Sequence, residues 1–374
     1  MTFKVVAQDG CARAGVLETP HGEVATPVFM PVGTQASVKT LSQDDLRRLG
    51  ADILLVNAYH LYLRPGTDLI ARAGGLHTFM GWSRVILTDS GGFQIFSMNG
   101  LSKVKEEGVR FQSHIDGSYH FLTPERVIEI ERALGADIIM AFDECTAYPT
   151  TCDEVKRSAE LTLRWAERCR AYHELLPATG QALFGIIQGG MHVNLREFCA
   201  DRIVGMGFDG YAIGGLAVGE PKVTMREMID VTVSRLPERA PRYLMGVGLP
   251  EDLIDGVVQG IDLFDCVIPT RNARNGTVFT RSGRMVLKGA RYAEDFSPID
   301  PECGCEACQG YTRSYIRHLF SAGEILAMHL ATIHNLFFFL SLMCEMRQAI
   351  ITHQFTMWKE TFFQTYRRSD DVLY

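Results

Sequence analysis

The fold is decided by a pattern that is clearest in the segment VILTDSGGFQ, residues 85–94. A short apolar run ends in an aspartate and two glycines, and a helix-like stretch follows. Runs that are apolar on both faces are typical of parallel strands that helices cover on the outside. Eight such runs, each closing at or beside Gly, Asp, Asn or Gln, predict strands over residues 28–32, 53–57, 85–88, 138–142, 183–188, 211–214, 243–247 and 263–266.

The segments between these runs have the features of helices. Thr123 is an N-cap residue with Pro124 in the first turn, and Gly135 ends the apolar pattern that follows. We predict further helices over residues 153–176 and 250–258. Eight strand–helix alternations predict an α/β protein built as a closed (β/α)8 TIM barrel. An open, doubly wound sheet is the alternative, although no Gly-x-Gly-x-x-Gly dinucleotide motif follows the first strands.

Charge is distributed unevenly along the chain. The net charge of −7 argues against nucleic-acid binding through bulk charge. Residues 271–292 nevertheless carry six basic side chains and no acidic one, so this stretch is at +6 and the remainder at −13. A basic stretch directly after the last predicted strand suits the backbone of a polyanion. The alternative is a solvated surface in which these side chains form salt bridges.

The compartment is predicted from what the sequence lacks. No secretory signal precedes the first strand, and the most apolar late run, residues 336–343, is much shorter than a membrane span. Ten cysteines without an export signal argue against a disulfide framework. We expect a cytoplasmic protein that has no membrane segment.

Three cysteines are crowded into six positions, Cys303, Cys305 and Cys308. Three thiolates at this spacing can bind one Zn²⁺, and a fourth ligand would close a tetrahedral structural site. His334 is the best candidate for the fourth ligand, with His329 and His318 as competitors.

Two insertions interrupt the barrel pattern. Residues 109–115 and 118–122 predict a β-hairpin on the turn Asp116-Gly117, and a strand pair is predicted at 277–280 and 284–288. We divide the chain into a barrel with the catalytic face (1–270, including a hairpin insertion at 97–122), a basic and zinc-binding subdomain (271–335) and C-terminal helices packing on the barrel (336–374).

Polar residues gather where the predicted strands end. Asp89, Asp143, Gln188 and Asp265 all lie at such ends, which form the catalytic face of a TIM barrel. Any one of these aspartates could simply cap the next helix. Together they suit chemistry at a glycosidic bond, in which one carboxylate attacks the sugar and another moves a proton. The sequence does not tell which carboxylate does which, and many glycoside hydrolases share such a pair.

The sequence resembles the bacterial-type tRNA-guanine transglycosylases (the queuine tRNA-ribosyltransferase family) along essentially its whole length. The most specific matching segments are TDSGGFQ (88–94), FDEC (142–145), FGIIQ (184–188), GGLAVGE (214–220), YLMGVG (243–248), FDCVIPTRNAR (264–274) and the cysteine cluster followed by IHN (333–335). The resemblance implies exchange of the guanine at the anticodon wobble position of GUN-anticodon tRNAs for 7-aminomethyl-7-deazaguanine, in queuosine biosynthesis. It also implies a homodimer that binds the anticodon loop of tRNA.

The resemblance implies a role for each matching residue. Asp265 would be the nucleophile that forms a covalent enzyme–RNA intermediate, and Asp89 the general acid and base. The purine site would consist of Asp143 on the Watson–Crick edge, Gln188 and the Gly215 N–H at O6, Phe93 and Met245 on the two ring faces, and Cys145 and Leu216 along the pocket wall. Arg271 and Arg274 would contact the RNA, and Cys303, Cys305, Cys308 and His334 would bind one structural Zn²⁺.

Three other functions are compatible with parts of the sequence. Phe93 departs from the tyrosine common in the family, while Cys145 and the segment Leu216-Ala-Val218 are typical of its bacterial members. A queuine-using member of the same family is one alternative. A barrel N-glycosidase acting on a small substrate would explain the aspartates, but not the basic stretch or the cysteines. A non-catalytic RNA-binding subunit is expected to lack the aspartate pair or the cysteines, and this chain has both.

Overall fold

The computed structural model describes residues 1–96 and 102–366. Its strands are β1 (Thr2–Asp9), β2 (Ala12–Thr19), β3 (Gly22–Thr26), β4 (Val28–Met30), β5 (Val32–Gly33), β6 (Ile53–Asn57), β7 (Val85–Asp89), β8 (Ser102–Val104), β9 (Val109–Gln112), β10 (Tyr119–Leu122), β11 (Ile138–Met140), β12 (Ala182–Ile187), β13 (Gly210–Ile213), β14 (Arg242–Leu244), β15 (Leu263–Asp265), β16 (Thr277–Thr280) and β17 (Gly283–Val286).

The helices between and after the strands are α1 (Gln43–Arg48), α2 (Ala58–Leu63), α3 (Thr67–Arg72), α4 (Gly75–Met80), α5 (Gly92–Phe96), α6 (Pro124–Leu134), α7 (Cys152–Leu175), α8 (Val193–Gly205), α9 (Lys222–Val233), α10 (Pro250–Val258), α11 (Ile268–Arg274), α12 (Glu306–Gly310), α13 (Arg313–Ala322), α14 (Ile325–Ile351) and α15 (Phe355–Thr365), with a 3₁₀ turn at Ala290–Tyr292.

The parallel sheet closes into a barrel. Its nine strand segments follow the order β4-β15-β14-β13-β12-β11-β7-β6-β5. β4 and β5 are the two halves of one predicted strand on either side of Pro31, and they pair with β15 and β6 respectively. The first predicted strand therefore pairs with the last one, β15. This closes the sheet, confirms the predicted (β/α)8 barrel and excludes the open sheet. All eight predicted strands are present, and three of them, β11, β14 and β15, are one or two residues shorter than predicted.

Local sequence explains the helix bounds where they matter for the site. The Thr123 hydroxyl accepts a hydrogen bond from the Arg126 N–H at the start of α6, as its N-cap position predicts. The helix ends at Gly135, whose φ of 75° is the left-handed conformation that glycine adopts without strain. The predicted helices at 153–176 and 250–258 are likewise confirmed as α7 and α10.

An antiparallel sheet formed by β1, β2 and β3 was not predicted from the sequence. Leu17 and Val24 of this sheet are fully buried and pack with the side chains that fill the barrel interior. This N-terminal sheet therefore closes the amino end of the barrel, opposite the catalytic face. The alternating burial along β1 is the period-2 signal of a strand with one solvated face.

The predicted hairpin is confirmed and belongs to a larger sheet. β9 and β10 pair antiparallel, and β8 adds a third strand on the other edge of β9. Part of the predicted insertion, residues 97–101, lies outside the described residues, as does the end of the predicted C-terminal segment, 367–374. The second predicted pair is also present, as β16 and β17. The division into three domains stays a prediction, and α14 runs continuously across its boundary at 335/336.

Helix α14 is long enough and apolar enough to cross a bilayer by length and composition, because it extends well beyond the apolar run 336–343. Within its most apolar window, 61% of the residues are buried inside the protein. The ring of Phe339 is fully buried and lies 5.2 Å from the rings of both Phe29 and Phe279. The helix therefore packs as a core helix between the barrel and the β16–β17 pair.

Candidate active site and metal centre

The polar strand ends meet in one cavity of about 380 Å³ at the carboxyl end of the barrel. This volume lies in the range typical of small-molecule sites. The cavity brings together every residue predicted for the chemistry and for the purine, and also one of the two predicted RNA contacts. These residues are Asp89, Phe93, Asp143, Cys145, Gln188, Gly215, Leu216, Met245, Asp265 and Arg271.

Asp265 is held by two donors on one of its oxygens. The Tyr243 hydroxyl donates to Oδ1 at 2.6 Å and the Gly246 N–H donates to the same atom at 2.8 Å. Burial raises the pKa of Asp265 above its ordinary value, and these two hydrogen bonds oppose the rise. Within the described part of the chain Oδ2 accepts no hydrogen bond, so its lone pairs are available to an electrophile in the cavity.

Asp89 is more deeply buried and is surrounded by donors. The Ala58 N–H donates to Oδ1 at 3.0 Å, and the side chains of Asn57 and Gln94 donate to Oδ2. Burial raises the pKa of Asp89 to about 7 despite these hydrogen bonds, and the nearby Asp265 carboxylate adds to the rise. A carboxyl group with a pKa near 7 can both donate and accept a proton at neutral pH.

Asp143 and Gln188 form a hydrogen-bonded pair on the cavity wall. The Gln188 Nε2 donates to Asp143 Oδ2 at 2.7 Å, and the Ser90 hydroxyl lies 3.4 Å from Oδ1. Burial raises the pKa of Asp143 to about 6. A carboxylate beside an amide offers adjacent acceptors and donors, which is the complement of the edge of a guanine-like base.

Three apolar side chains shape the cavity. The ring of Phe93 is 55% exposed, so one of its faces is open to a flat ligand. Met245 lines the cavity and is half-buried. Cys145 is buried, and burial raises the pKa of its thiol to about 12, so it stays a neutral wall group.

Several residues without a role predicted from the sequence contact the predicted site residues. Tyr243 is buried inside β14 and shows its function only through its hydroxyl contact with Asp265. Asn57 is the last residue of the predicted strand 53–57, and its side chain donates a hydrogen bond to Asp89. Arg196, on α8, is fully buried and donates to backbone carbonyls beside the cavity. A charged residue in a helix gives no sequence signal for such a contact.

The basic stretch is only partly available to a polyanion. Arg271 is exposed at the cavity mouth, whereas Arg274, one helical turn further along α11, does not line the cavity. Burial lowers the pKa of Arg274, and the charge of Arg271 adds to this effect, so the two guanidinium groups are close. Arg281 forms an ion pair with Glu345, so the salt-bridge alternative holds for this one side chain.

The cysteine cluster and His334 meet as predicted. The distances from His334 Nδ1 to the sulfurs of Cys303, Cys305 and Cys308 are 3.6, 3.6 and 3.2 Å. A tetrahedral ion with ordinary zinc–sulfur and zinc–nitrogen bonds requires about 3.6 Å between these atoms. His334 Nε2 donates to the Phe279 carbonyl at 2.8 Å, which leaves Nδ1 with a free lone pair for a metal. The four residues therefore form a group able to bind one metal ion.

His329 is not part of this group. Its Nδ1 lies 2.9 Å from the Thr40 carbonyl, on the barrel side of α14. Among the residues described, His318 is likewise absent from the group of potential ligands. The structure therefore favours His334 over both competitors.

A second polar cluster lies at the opposite end of the barrel. His21 Nδ1 and His77 Nε2 lie 2.7 and 3.2 Å from the two oxygens of Asp137. The two imidazole rings are stacked, with centroids 3.5 Å apart and planes at 14°. The cluster ties the β2–β3 turn to the amino end of β11, and its nitrogen and oxygen atoms lie close enough together to hold a metal ion.

A closed barrel with acidic side chains at the carboxyl ends of its strands defines the class, which is that of (β/α)8-barrel enzymes with a cavity for a small ligand. A family model described as queuine tRNA-ribosyltransferase matches residues 8–368. The chain belongs to this family.

Bacterial relatives match over nearly the full length. A queuine tRNA-ribosyltransferase of Thermoanaerobacter sp. (strain X514) is 60% identical over 355 residues, covering 95% of this chain and 94% of the relative. The enzyme of the same name from Caldanaerobacter subterraneus subsp. tengcongensis is 59% identical, covering 97% of each chain. That of Geobacillus thermodenitrificans is 54% identical, covering 97% of this chain and 95% of the relative.

Proposed function

We propose that this protein is a bacterial-type tRNA-guanine transglycosylase that exchanges the wobble guanine of GUN-anticodon tRNAs for 7-aminomethyl-7-deazaguanine, in queuosine biosynthesis. One observation carries the proposal. A single cavity is lined by two aspartates suited to displacement and proton transfer and by a carboxylate–amide pair suited to a purine edge. Family membership supports it, since the relatives bear the name queuine tRNA-ribosyltransferase.

In the first displacement, Oδ2 of Asp265 attacks C1′ of the wobble nucleotide. The C1′–N9 bond breaks, its electron pair leaves with guanine, and an ester between Asp265 and the RNA forms. Oδ1 keeps its hydrogen bonds to Tyr243 and Gly246, which orient the carboxylate and limit the reacting atom to Oδ2. Asp89 in its protonated form supplies the proton that neutralises the departing base.

In the second displacement, Asp89, now ionised, takes the N9 proton of the incoming base. N9 then attacks C1′ from the opposite face, and the ester bond breaks to restore the Asp265 carboxylate. Two inversions retain the configuration at C1′, as expected when two bases use one pocket in turn. The proton that Asp89 gave in the first step is regained in the second, so no cofactor is consumed.

Base recognition is assigned to three groups on the cavity wall. Asp143 accepts from N1–H and the 2-amino group, while Gln188 and the Gly215 N–H donate to the 6-oxo group. Phe93 and Met245 stack on the two faces of the ring. The interactions are edge hydrogen bonds between stacked faces, the usual way to bind an extruded base.

The incoming base is distinguished at its 7-substituent. Within the described chain, the Leu216 carbonyl accepts no hydrogen bond, and Leu216 lines the cavity. Glu220 accepts the N–H groups of Ala217 and Val218 at 2.6 and 2.9 Å, which fixes the peptide next to that carbonyl. A free carbonyl suits the aminomethyl ammonium group of 7-aminomethyl-7-deazaguanine, the incoming base proposed here.

The RNA and the second subunit are assigned to the C-terminal part of the chain. Arg271 and Arg274 contact the anticodon loop beside the cavity. Phe296 and Ile325 are each 75% exposed, and a homodimer interface would cover such side chains. We infer a cytoplasmic homodimer in which the membrane-length helix α14 serves only as core.

The metal is assigned as one Zn²⁺ per subunit, bound by Cys303, Cys305, Cys308 and His334. Four protein ligands leave no open position for substrate, so the ion would be structural. Its ligands connect α12 and the loop before it to α14, and the His334 contact with Phe279 extends the connection to β16. The ion would therefore stabilise the subdomain that holds the basic residues near the cavity.

The proposal is tested by incubating the protein with unmodified tRNA and labelled guanine, using wild type, Asp265→Asn and Arg281→Lys. Label enters RNA with wild type and with the Arg281 variant, whose ion pair is remote from the cavity, and not with the Asp265 variant. No incorporation by folded, metal-loaded wild type contradicts the proposal. Release of guanine from free guanosine would then identify a small-substrate N-glycosidase.

A further inference from the structure

Arg196 is a buried cation with an unusual set of partners. Its side chain is fully buried, and its guanidinium makes four hydrogen bonds, all to backbone carbonyls. The acceptors are Gly190 at 2.9 Å, Ile187 at 3.1 Å, Gly214 at 2.8 Å and Gly215 at 3.3 Å. No carboxylate in residues 1–96 or 102–366 forms an ion pair with it. A buried charge without a counter-ion is costly, so its carbonyl contacts must be maintained by the surrounding fold.

These contacts fix the orientation of one peptide group. The Gly214 carbonyl points at Arg196, and in a planar trans peptide the N–H of the next residue points the opposite way. That N–H belongs to Gly215, which lines the cavity. It donates to no acceptor in the part of the chain that is described. Arg196 thus turns the peptide so that its donor is free for a ligand.

The backbone at Gly215 does not hold this orientation by itself. Its φ of +64° lies in the left-handed region, and a Cβ here would come within 2.3 Å of Gln188 Oε1. The position therefore requires glycine, which is the least restrained residue in an unsupported loop. The hydrogen bonds to Arg196 on both the Gly214 and Gly215 carbonyls supply the restraint that the residue itself lacks.

We propose that Arg196 is a positioning residue for base exchange, which orients and polarises the Gly214–Gly215 peptide so that its N–H binds the 6-oxo group of the purine. This rests on the function proposed above. Hydrogen bonds in a chain polarise one another, so the Arg196 guanidinium bound to the Gly214 carbonyl strengthens the Gly215 N–H as a donor. The purine gains negative charge as the C1′–N9 bond breaks. The strengthened donor therefore stabilises the charged leaving base more than it stabilises the neutral bound base.

The test compares two bases that differ at the 6-position. Dissociation constants of guanine and of 2-aminopurine, which lacks the 6-oxo group, are measured by calorimetry for wild type, Arg196→Lys and Arg196→Met. Both variants weaken guanine binding by about tenfold or more, because the 6-oxo hydrogen bond is lost or misaligned. Binding of 2-aminopurine changes much less, so the preference for guanine shrinks. An equal loss for both bases marks a purely structural role and overturns the proposal.

A matched control is Arg242→Lys. Arg242 is also a buried arginine that donates to backbone carbonyls, those of Leu236 and Gly260, at the amino end of β14. Its replacement lowers the melting temperature without changing the preference between the two bases. If wild type binds neither base, the proposed function itself fails and this inference fails with it.

A second measurement on wild type covers the case in which the Arg196 variants do not fold. The amide resonance of Gly215 and the Nε–H resonance of Arg196 are followed by NMR during titration with guanine and with 2-aminopurine. Guanine shifts both resonances, whereas 2-aminopurine shifts them less. A Gly215 amide that responds alone, with Arg196 unmoved, contradicts the coupling between them.

Discussion

Replacing Tyr243 by phenylalanine tests how the protein prepares its nucleophile. The change removes one hydroxyl, which donates to Oδ1 of Asp265 at 2.6 Å, and leaves the second donor, the Gly246 N–H, in place. A hydrogen bond to a charged group is worth about 1.5–3 kcal/mol, and one pKa unit corresponds to about 1.4 kcal/mol. The pKa of Asp265 therefore rises by about 1–2 units, because the lost bond stabilised the ionised form.

The assay is the pH dependence of kcat/KM for guanine exchange into tRNA. Asp265 reacts as the carboxylate, so the acid limb of the profile moves to higher pH by the same amount while the alkaline limb stays in place. Tyr211→Phe is the control, since Tyr211 is also buried in a neighbouring barrel strand but does not contact Asp265. An acid limb that does not move in Tyr243→Phe refutes the assignment of this hydroxyl to the nucleophile.

Three further predictions address the proton donor, the metal and the RNA. The alkaline limb of kcat/KM for tRNA falls near pH 7, because Asp89 must carry a proton to release guanine and burial raises its pKa to about 7. Asp89→Asn abolishes this limb. A limb that persists in the residual exchange by Asp89→Asn contradicts the assignment of Asp89 as proton donor. His334→Ala loses about one zinc ion per chain, as measured by metal analysis, and has a lower melting temperature. The control His329→Ala keeps its zinc. An unchanged zinc content in His334→Ala excludes His334 as a ligand. Arg271→Ala weakens tRNA binding and reduces the slope of log affinity against log salt concentration by about one. The control Arg281→Ala leaves that slope unchanged, because the charge of Arg281 is already paired with Glu345. Equal slopes for wild type and both variants would exclude Arg271 from the RNA interface.

The sequence predicts those parts of the fold that depend on local pattern. Barrel strands are buried on both faces, so their apolar runs stand out, and the polar residues that end them mark the catalytic face. Asp89, Asp143, Gln188 and Asp265 were found in this way and do line one cavity. Their separate roles came from the family resemblance, because strand ends alone do not distinguish nucleophile from proton donor.

What the sequence does not predict depends on contacts between distant segments. His21 and Asp137 are 116 positions apart, and nothing in either segment indicates that they meet. Tyr243 lies in an apolar run and is predicted only as a core residue. Its ring is indeed buried in the core, and only its hydroxyl reaches Asp265. Arg196 has the pattern of a surface residue in a helix, and its burial depends on where α8 packs against the barrel.

The N-terminal sheet was missed for a different reason. Its first strand, β1, alternates between exposed and half-buried residues, so it lacks the apolar run that identified each barrel strand. Its buried residues Leu17 and Val24 pack on side chains of the barrel interior, which come from strands that are distant in the sequence. A search for period-2 alternation, in addition to apolar runs, would have indicated β1.

The covalent ester between Asp265 and the RNA distinguishes double displacement from direct exchange, and trapping it tests the proposed mechanism. Wild type, Asp265→Asn and Asp89→Asn are mixed with an unmodified tRNA, denatured and separated on a gel that resolves free RNA from RNA joined to protein. We predict an adduct for wild type that disappears when excess guanine is added before denaturation, and whose attachment maps to Asp265 by mass spectrometry. Exchange of labelled guanine by wild type without any adduct, or an adduct that persists in Asp265→Asn, would contradict the mechanism.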